Sequence, residues 1–162
     1  MRNPSKKTIE NPVLNVVLYQ PEIPANTGNI ARLCGAANVR LHLIHPLGFR
    51  TDDKHLKRAG LDYWPEIDIT HHNSFDGFLE YGGKNSPDLI AFSKHAAPLY
   101  TEALVKRGQF LLFGQETQGL PEDIRKKYEC YRVPIWGRVR SLNLSTTVGI
   151  VVYHFIHKLG VF

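Results

Sequence analysis

Short, β-rich apolar runs alternate with helix-like segments along almost the whole of this chain. Val13–Tyr19, Arg40–Ile44, Leu89–Phe92 and Gln109–Phe113 read as strands, and most are nearly continuous in apolar residues. A strand of that kind is covered on both faces. Strands separated by helices call for parallel crossovers. The expected fold is therefore α/β, a mostly parallel sheet with helices on both faces. Shorter strands are expected at Glu66–Thr70 and Tyr131–Pro134. Helices are expected at Asn26–Ala37, with Asn26 or Thr27 as cap, at Thr51–Arg58, and at Ser74–Glu80 capped by Ser74. Thr101–Lys106 is helical by pattern, and Pro121 suits the first position of a helix running to about Lys127. Thr146–Leu159 ends on Lys158 with Gly160 just beyond, as helices do. That last helix is apolar around most of its circumference, so it packs in the core or against a second subunit.

The chain has 162 residues, enough for one domain with a real core. Residues 13–162 are expected to form it, with residues 1–12 as a flexible arm. The net charge of +5 is a mild bias toward polyanions. Cys34 and Cys130 lack metal or redox spacing, which makes the cytoplasm the default compartment. The polar, basic start has no apolar stretch after it, unlike a signal peptide, and no apolar run is long enough to cross a bilayer. The eight histidines read as mostly surface residues, and His71-His72 lacks the spacing of a helical metal pair.

Three segments could carry chemistry. In Asn26-Thr27-Gly28-Asn29-Ile30-Ala31-Arg32-Leu33 an Asn opens a helix, and Arg32 offers fixed donors for phosphate or a developing oxyanion. In Leu112-Phe113-Gly114-Gln115-Glu116-Thr117-Gln118-Gly119-Leu120-Pro121 two glycines bracket a loop, and Glu116 stands where a carboxylate could cap it or orient a substrate. In Val133–Ser145, Ser141 and Asn143 sit where a strand turns into a helix, a place where backbone N–H groups face a ligand. Each is also an ordinary capped turn. Neither glycine loop is followed by Gly-Lys-Ser/Thr or fits GxGxxG, and no GxSxG exists. Nucleoside triphosphates, NAD and α/β-hydrolase chemistry are therefore poor fits.

Taken in order, the three segments resemble the SPOUT class of S-adenosylmethionine-dependent RNA methyltransferases over about residues 13–160. Asn26–Leu33 resembles its first motif, Gly114–Pro121 its second (FGxExxGLP) and Val133–Ser145 its third (P…SLNxS). Leu18-Tyr19-Gln20-Pro21-Glu22-Ile23-Pro24, Gly48-Phe49, Asp52-Asp53-Lys54 and Arg58-Ala59-Gly60-Leu61-Asp62-Tyr63 are similar to one subfamily. It comprises the short tRNA ribose 2′-O-methyltransferases acting on the wobble cytidine or uridine of leucine tRNAs.

The resemblance implies a deep C-terminal trefoil knot, an exception to unknotted topology, and a homodimer packed partly through the first and last helices. It implies S-adenosylmethionine as cofactor, S-adenosylhomocysteine as product, no metal, and tRNA as partner. Carried over by position, Phe92, Gly114, Val133, Ser141 and Leu142 would line the cofactor pocket. Arg32 matches the catalytic arginine; Asn26, Glu116, Ser141 and Asn143 match its supporting polar residues; Tyr153 matches a tyrosine near the RNA side. Basic Arg50, Lys54, Lys57, Arg58, Arg138 and Arg140 could meet tRNA phosphates. Leu142 and Thr146 depart from the Met and Asn common in relatives. The remaining alternatives are methylation of ribosomal RNA or another tRNA position, and a non-catalytic RNA-binding module.

Overall fold

The computed structural model describes residues 8–52, 54, 58, 64–81 and 88–162. The strands are β1 Leu14–Tyr19, β2 Arg40–Ile44, β3 Ile69–His72, β4 Leu89–Phe92, β5 Gln109–Phe113 and β6 Cys130–Tyr131. The helices are α1 Pro24–Ala37, α2 Phe75–Tyr81, α3 Glu122–Lys127 and α4 Leu144–Lys158. The strands form one sheet in the order β3-β2-β1-β5-β4-β6, every neighbouring pair parallel.

The alternation of side chains along each strand explains the continuous apolar runs. Leu14, Val16 and Leu18 of β1, Leu41 and Leu43 of β2, and Leu111 and Phe113 of β5 pack on one side. Helix α1 covers that side with Ile30, Ala31 and Cys34, and α4 covers it with Val148, Val151, Val152 and Phe155. Burial pushes the Cys34 thiol well above its ordinary range, so this cysteine is packing rather than chemistry. Val17, Ile44, Ala91 and Leu112 face the other way, against Phe78 of α2 and Ile124 of α3. The last helix is thus largely a core element. Its Ile150 and Tyr153 nevertheless stay 36% and 43% exposed, near an exposed C-terminal Val161 and Phe162.

Several expectations shift. Helix α1 starts at Pro24 with Ile23 at its N-cap, so Asn26 and Thr27 are buried in the first turn and cap nothing. Ser74 does cap α2, its Oγ accepting the Gly77 N–H at 3.0 Å. Thr101–Lys106 is not a helix; only a single 3₁₀ turn, Tyr100–Glu102, forms there. The carbonyls of Thr101 and Ala103 accept the Lys158 ammonium instead of helical amides, and Ala103 is buried in an extended conformation. Strand β6 is cut to two residues because Arg132 bonds across to Pro98 and Tyr100 rather than continuing the ladder. The short strand placed at Glu66–Thr70 runs instead over Ile69–His72. Most of the Thr51–Arg58 segment lies outside the described residues, as do residues 1–7 of the arm. Ile9 of that arm is tied down: its N–H donates to Asp68 Oδ2 at 3.0 Å, and its carbonyl accepts from Arg40. Arg40 and Asp68 form a buried ion pair at 2.7 Å.

The histidines are not all on the surface. His42 is fully buried and His72 is 6% exposed, stacked on each other beneath Phe78 and Tyr81. Asn15 donates its amide to the Gly108 carbonyl at 3.0 Å, which turns its oxygen toward His42 Nε2 at 3.1 Å. His42 Nε2 must therefore carry hydrogen, its Nδ1 accepts, and His72 Nε2 donates to it at 3.0 Å. Desolvation, then the neighbouring His71 and His45, lower His72 to a pKa of about 4. The unfolded chain, with an ordinary histidine pKa near 6.5, binds the proton more readily than the fold. Stability is therefore complete above about pH 6.5 and falls as pH drops from there toward 4. The expected loss from His72 is of the order of 1–2 kcal/mol, allowing for solvent screening. Urea denaturation at pH 7 and pH 5 checks this, and equal midpoints for wild type and His72→Phe across that range would sink it.

Candidate active site

Three stretches remote in sequence meet at the carboxyl-terminal edge of β4 and β5. The Glu116 carboxylate, on the loop after β5, accepts the Glu22 N–H at 2.8 Å and the Ile23 N–H at 3.1 Å. It therefore holds the entry to α1, where a negative charge meets the positive end of the helix. It also accepts the Asn26 amide at 3.4 Å, and the Asn26 carbonyl accepts the Asn143 amide at 3.0 Å. Asn143 is the N-cap of α4, its Oδ1 accepting the N–H of Ser145 at 2.9 Å and of Thr146 at 3.3 Å. One chain of polar side chains thus locks the starts of α1 and α4 to the loop after β5. Glu22 reciprocates, its carboxylate accepting the Thr117 N–H at 3.0 Å and hydroxyl at 2.9 Å.

The loop itself is folded back tightly. Gln115 and Gly119 exchange backbone hydrogen bonds at 3.2 and 3.0 Å. A Cβ on Gly114 would lie 2.3 Å from the Gly119 carbonyl carbon. Gly114 is thus required by the loop's own backbone, and Gly119 by its φ of +67°.

An open cleft of about 770 Å³ lies over this junction. All the residues expected to hold the cofactor line it: Phe92, Gly114, Val133, Ser141 and Leu142. Asn26, Glu116 and Asn143 line it too. Phe92 stacks on Phe113 with ring centres 4.9 Å apart, and with Ile135 they give an apolar floor. Ser141, Gln115 and the backbone of Gly114–Gly119 supply polar walls. Apolar surface beside hydroxyl and amide groups suits a ligand with an apolar ring and polar substituents. No group of three His, Cys, Asp or Glu side chains that could hold a metal occurs among the described residues.

The remaining expected residues fall elsewhere. Arg32 is exposed on α1 and does not line the cleft of its own chain. Tyr153 is on α4, its ring 6.4 Å from that of Phe162. Arg138 and Arg140 are exposed on the loop before α4, and Arg140 reaches the cleft. Arg50 pairs with Asp52 at 3.2 Å on the surface. Lys54 and Arg58 are exposed, and Lys57 lies outside the described residues. Sequence reasoning missed Glu22, whose role depends on a loop 95 residues away. It also missed Lys94 and His95, which follow β4 into the cleft wall; a basic pair just after a strand end was the available signal.

Residues 13–153, carrying all three of these meeting stretches, match the SpoU rRNA Methylase family. The chain belongs to that family. A Bacillus subtilis relative is 48% identical over 148 residues, covering 90% of this chain and 92% of its own. The tRNA (cytidine(34)-2'-O)-methyltransferase of Escherichia coli K12 is 44% identical over 151 residues, covering 91% and 95%. A solved structure concerned with 2-OH methylation of C/U34 on tRNA superposes with a TM-score of 0.87 at 44% identity, over 93% of this chain and 99% of that one. The SpoU methyltransferase AviRb from Streptomyces viridochromogenes, in complex with AdoMet, shares the fold with a TM-score of 0.81 at 19% identity, over 95% and 63%.

In this SpoU methylase, removing the Glu116 carboxylate strands two backbone amides and the Asn26 side chain. Glu116→Ala is expected to cost about 1–3 kcal/mol, read as a lower urea midpoint, with Glu116→Gln intermediate. A Glu116→Ala midpoint equal to wild type would show that the junction does not hold the fold together.

Proposed function

We propose that this protein transfers a methyl group from S-adenosylmethionine to the ribose 2′-hydroxyl of the wobble cytidine or uridine of leucine tRNAs, releasing S-adenosylhomocysteine. The observation that carries the reading is the convergence of Glu116, Asn26 and Asn143 beneath a cleft lined by Phe92, Val133, Ser141 and Leu142. The near full-length similarity to a tRNA (cytidine(34)-2'-O)-methyltransferase supports the substrate. The fold shared with an AdoMet-bound methyltransferase is compatible with the donor. The donor, when bound, supplies an electrophilic methyl on sulfur for in-line displacement.

The chain's own residues then have distinct tasks. Phe92 and Val133 provide apolar surface for the adenine side, and Ser141 and Leu142 border the reacting end. The bonds of Asn26, Glu116 and Asn143 go to one another, to backbone N–H groups and to the Ser145 hydroxyl, so these three position rather than react. A ribose hydroxyl needs its developing negative charge stabilised as the proton leaves. Arg32 is the group for that, as a guanidinium clamp rather than a base, because guanidinium stays protonated. It stands outside its own cleft, so it acts on the cleft of a second copy. The exposed Ile150 and Tyr153 of α4 support a homodimer through α1 and α4. In this reading, the C-terminal segment is threaded through a loop to make the knot. Residues 13–162 act as one domain with 1–12 as an arm, in the cytoplasm, without a metal. Among the described residues, no helix is long and apolar enough to cross a membrane.

Two measurements test the reading. Labelled methyl from S-adenosylmethionine should enter 2′-O-methylcytidine or 2′-O-methyluridine at the wobble position of tRNA from a strain lacking the protein. Label in ribosomal RNA alone would move the substrate to the class that the family description names. Arg32→Ala should lower the turnover rate about 10²–10³-fold, the loss seen on removing one oxyanion donor, while the donor binds with unchanged affinity by calorimetry. Lost donor binding would make Arg32 structural.

A further inference from the structure

Beside the cleft, and sharing a wall with it, lies a second recess of about 360 Å³. Lys94, His95, Arg132 and Arg140 line it, with no carboxylate among the lining residues. The loop that separates recess from cleft runs through Ile135 and Arg140, which line both. At its tip Trp136 is 90% exposed and Val139 64% exposed, with Arg138 between them. Gly137, next to Trp136, has open space around it. An indole left in water at the rim of a ligand cleft, on a loop whose only charges are arginines, has the composition of a base-stacking platform.

We propose that this loop and recess form a nucleotide-docking subsite: a backbone phosphate of the RNA sits among Lys94, Arg132 and Arg140, and Trp136 stacks on the base of a nucleotide flanking the target. This rests on the RNA-substrate reading above and adds to it the residues that set the target's register. Stacking on an indole requires an unpaired base, so the subsite selects a single-stranded loop over a duplex. The charge favours RNA over a second copy of this chain. A two-fold contact at the loop would set one cluster of arginines against its own image.

The test uses the full-length protein and a short anticodon stem–loop RNA. Trp136→Ala should raise the KM for that RNA about tenfold, with donor affinity and oligomeric mass unchanged. Trp136→Phe, which keeps a stacking ring, should recover most of the loss. In a Trp64→Phe background, Trp136 is the sole tryptophan of the chain, and its fluorescence should be quenched on adding the RNA. Arg132→Gln should flatten the dependence of RNA affinity on salt by about one phosphate contact. Normal RNA KM in Trp136→Ala together with no quenching overturns the subsite alone. A change in oligomeric mass in Trp136→Ala assigns the loop to a dimer contact and overturns it as well. Failure of the unmutated protein to bind the stem–loop overturns the RNA reading, and the subsite with it.

Discussion

The architecture of the site hangs on one carboxylate. Glu116 closes the amide-rich entry of α1, takes the Asn26 amide, and through Asn26 reaches Asn143 at the start of α4. Each helix start carries backbone N–H groups that cost free energy if buried unpaired. Here one polar chain caps the start of α4 and pairs the two backbone N–H groups just before α1, fixing both against the loop after β5. That loop cannot adapt much, because Gly114 already lies against the backbone of Gly119 and Leu120. The cleft is thus bounded by backbone that has little room to move, which suits a reaction governed by alignment.

The sheet makes this junction possible. Because β1 and β5 are neighbours, the loops leaving their carboxyl ends emerge side by side, which brings Glu22 within reach of Thr117 and Glu116 within reach of Glu22. Helices α1 and α4 then lie on the same face, in one apolar cluster with Val16 and Leu111 of the sheet. On the opposite face the buried Asn15–His42–His72 relay ties β1, β2 and β3 together. A neutral histidine pair is a demanding choice for a core, since every ring nitrogen facing inward needs a partner. The Asn15 amide, fixed by Gly108, supplies the direction in which the relay runs.

The strands and the three polar motifs were legible from sequence for different reasons. Both faces of β1, β2, β4 and β5 are largely buried, so apolar residues dominate most of them and their bounds differ by at most a residue from expectation. The motif residues were found through their ordered resemblance to a family, and all five expected cofactor-pocket residues line one cleft. What failed depended on distant partners. Asn26 has the chemistry of a cap, yet its amide is drawn to a carboxylate 90 residues away, and the helix begins earlier at Pro24. Thr101–Lys106 has a helical pattern, yet Lys158 takes its carbonyls. His42 and His72 look like surface residues in isolation; only strand pairing in register, which sets His42 against Thr70 and Ile44 against His72, brings the two rings together. Local pattern carries no information about such pairings.

The site's polar side chains divide by whether their bonding capacity is already spent. Glu116, Asn26 and Asn143 are committed to the frame, with both ends of each amide engaged. Among the described residues, no group of three His, Cys, Asp or Glu side chains could hold a metal ion. The proposed step is displacement at an activated methyl, in which the donor supplies the leaving group. The charge that must be stabilised in that step is on the incoming oxygen, and the cleft's own cationic residues, Lys94 and Arg140, lie on the side of the recess. Arg32 is exposed on α1 and does not line the cleft of its own chain. In the proposed reaction that stabilisation comes from Arg32 of a second copy, which gives the proposed dimer a chemical role beyond covering Ile150 and Tyr153.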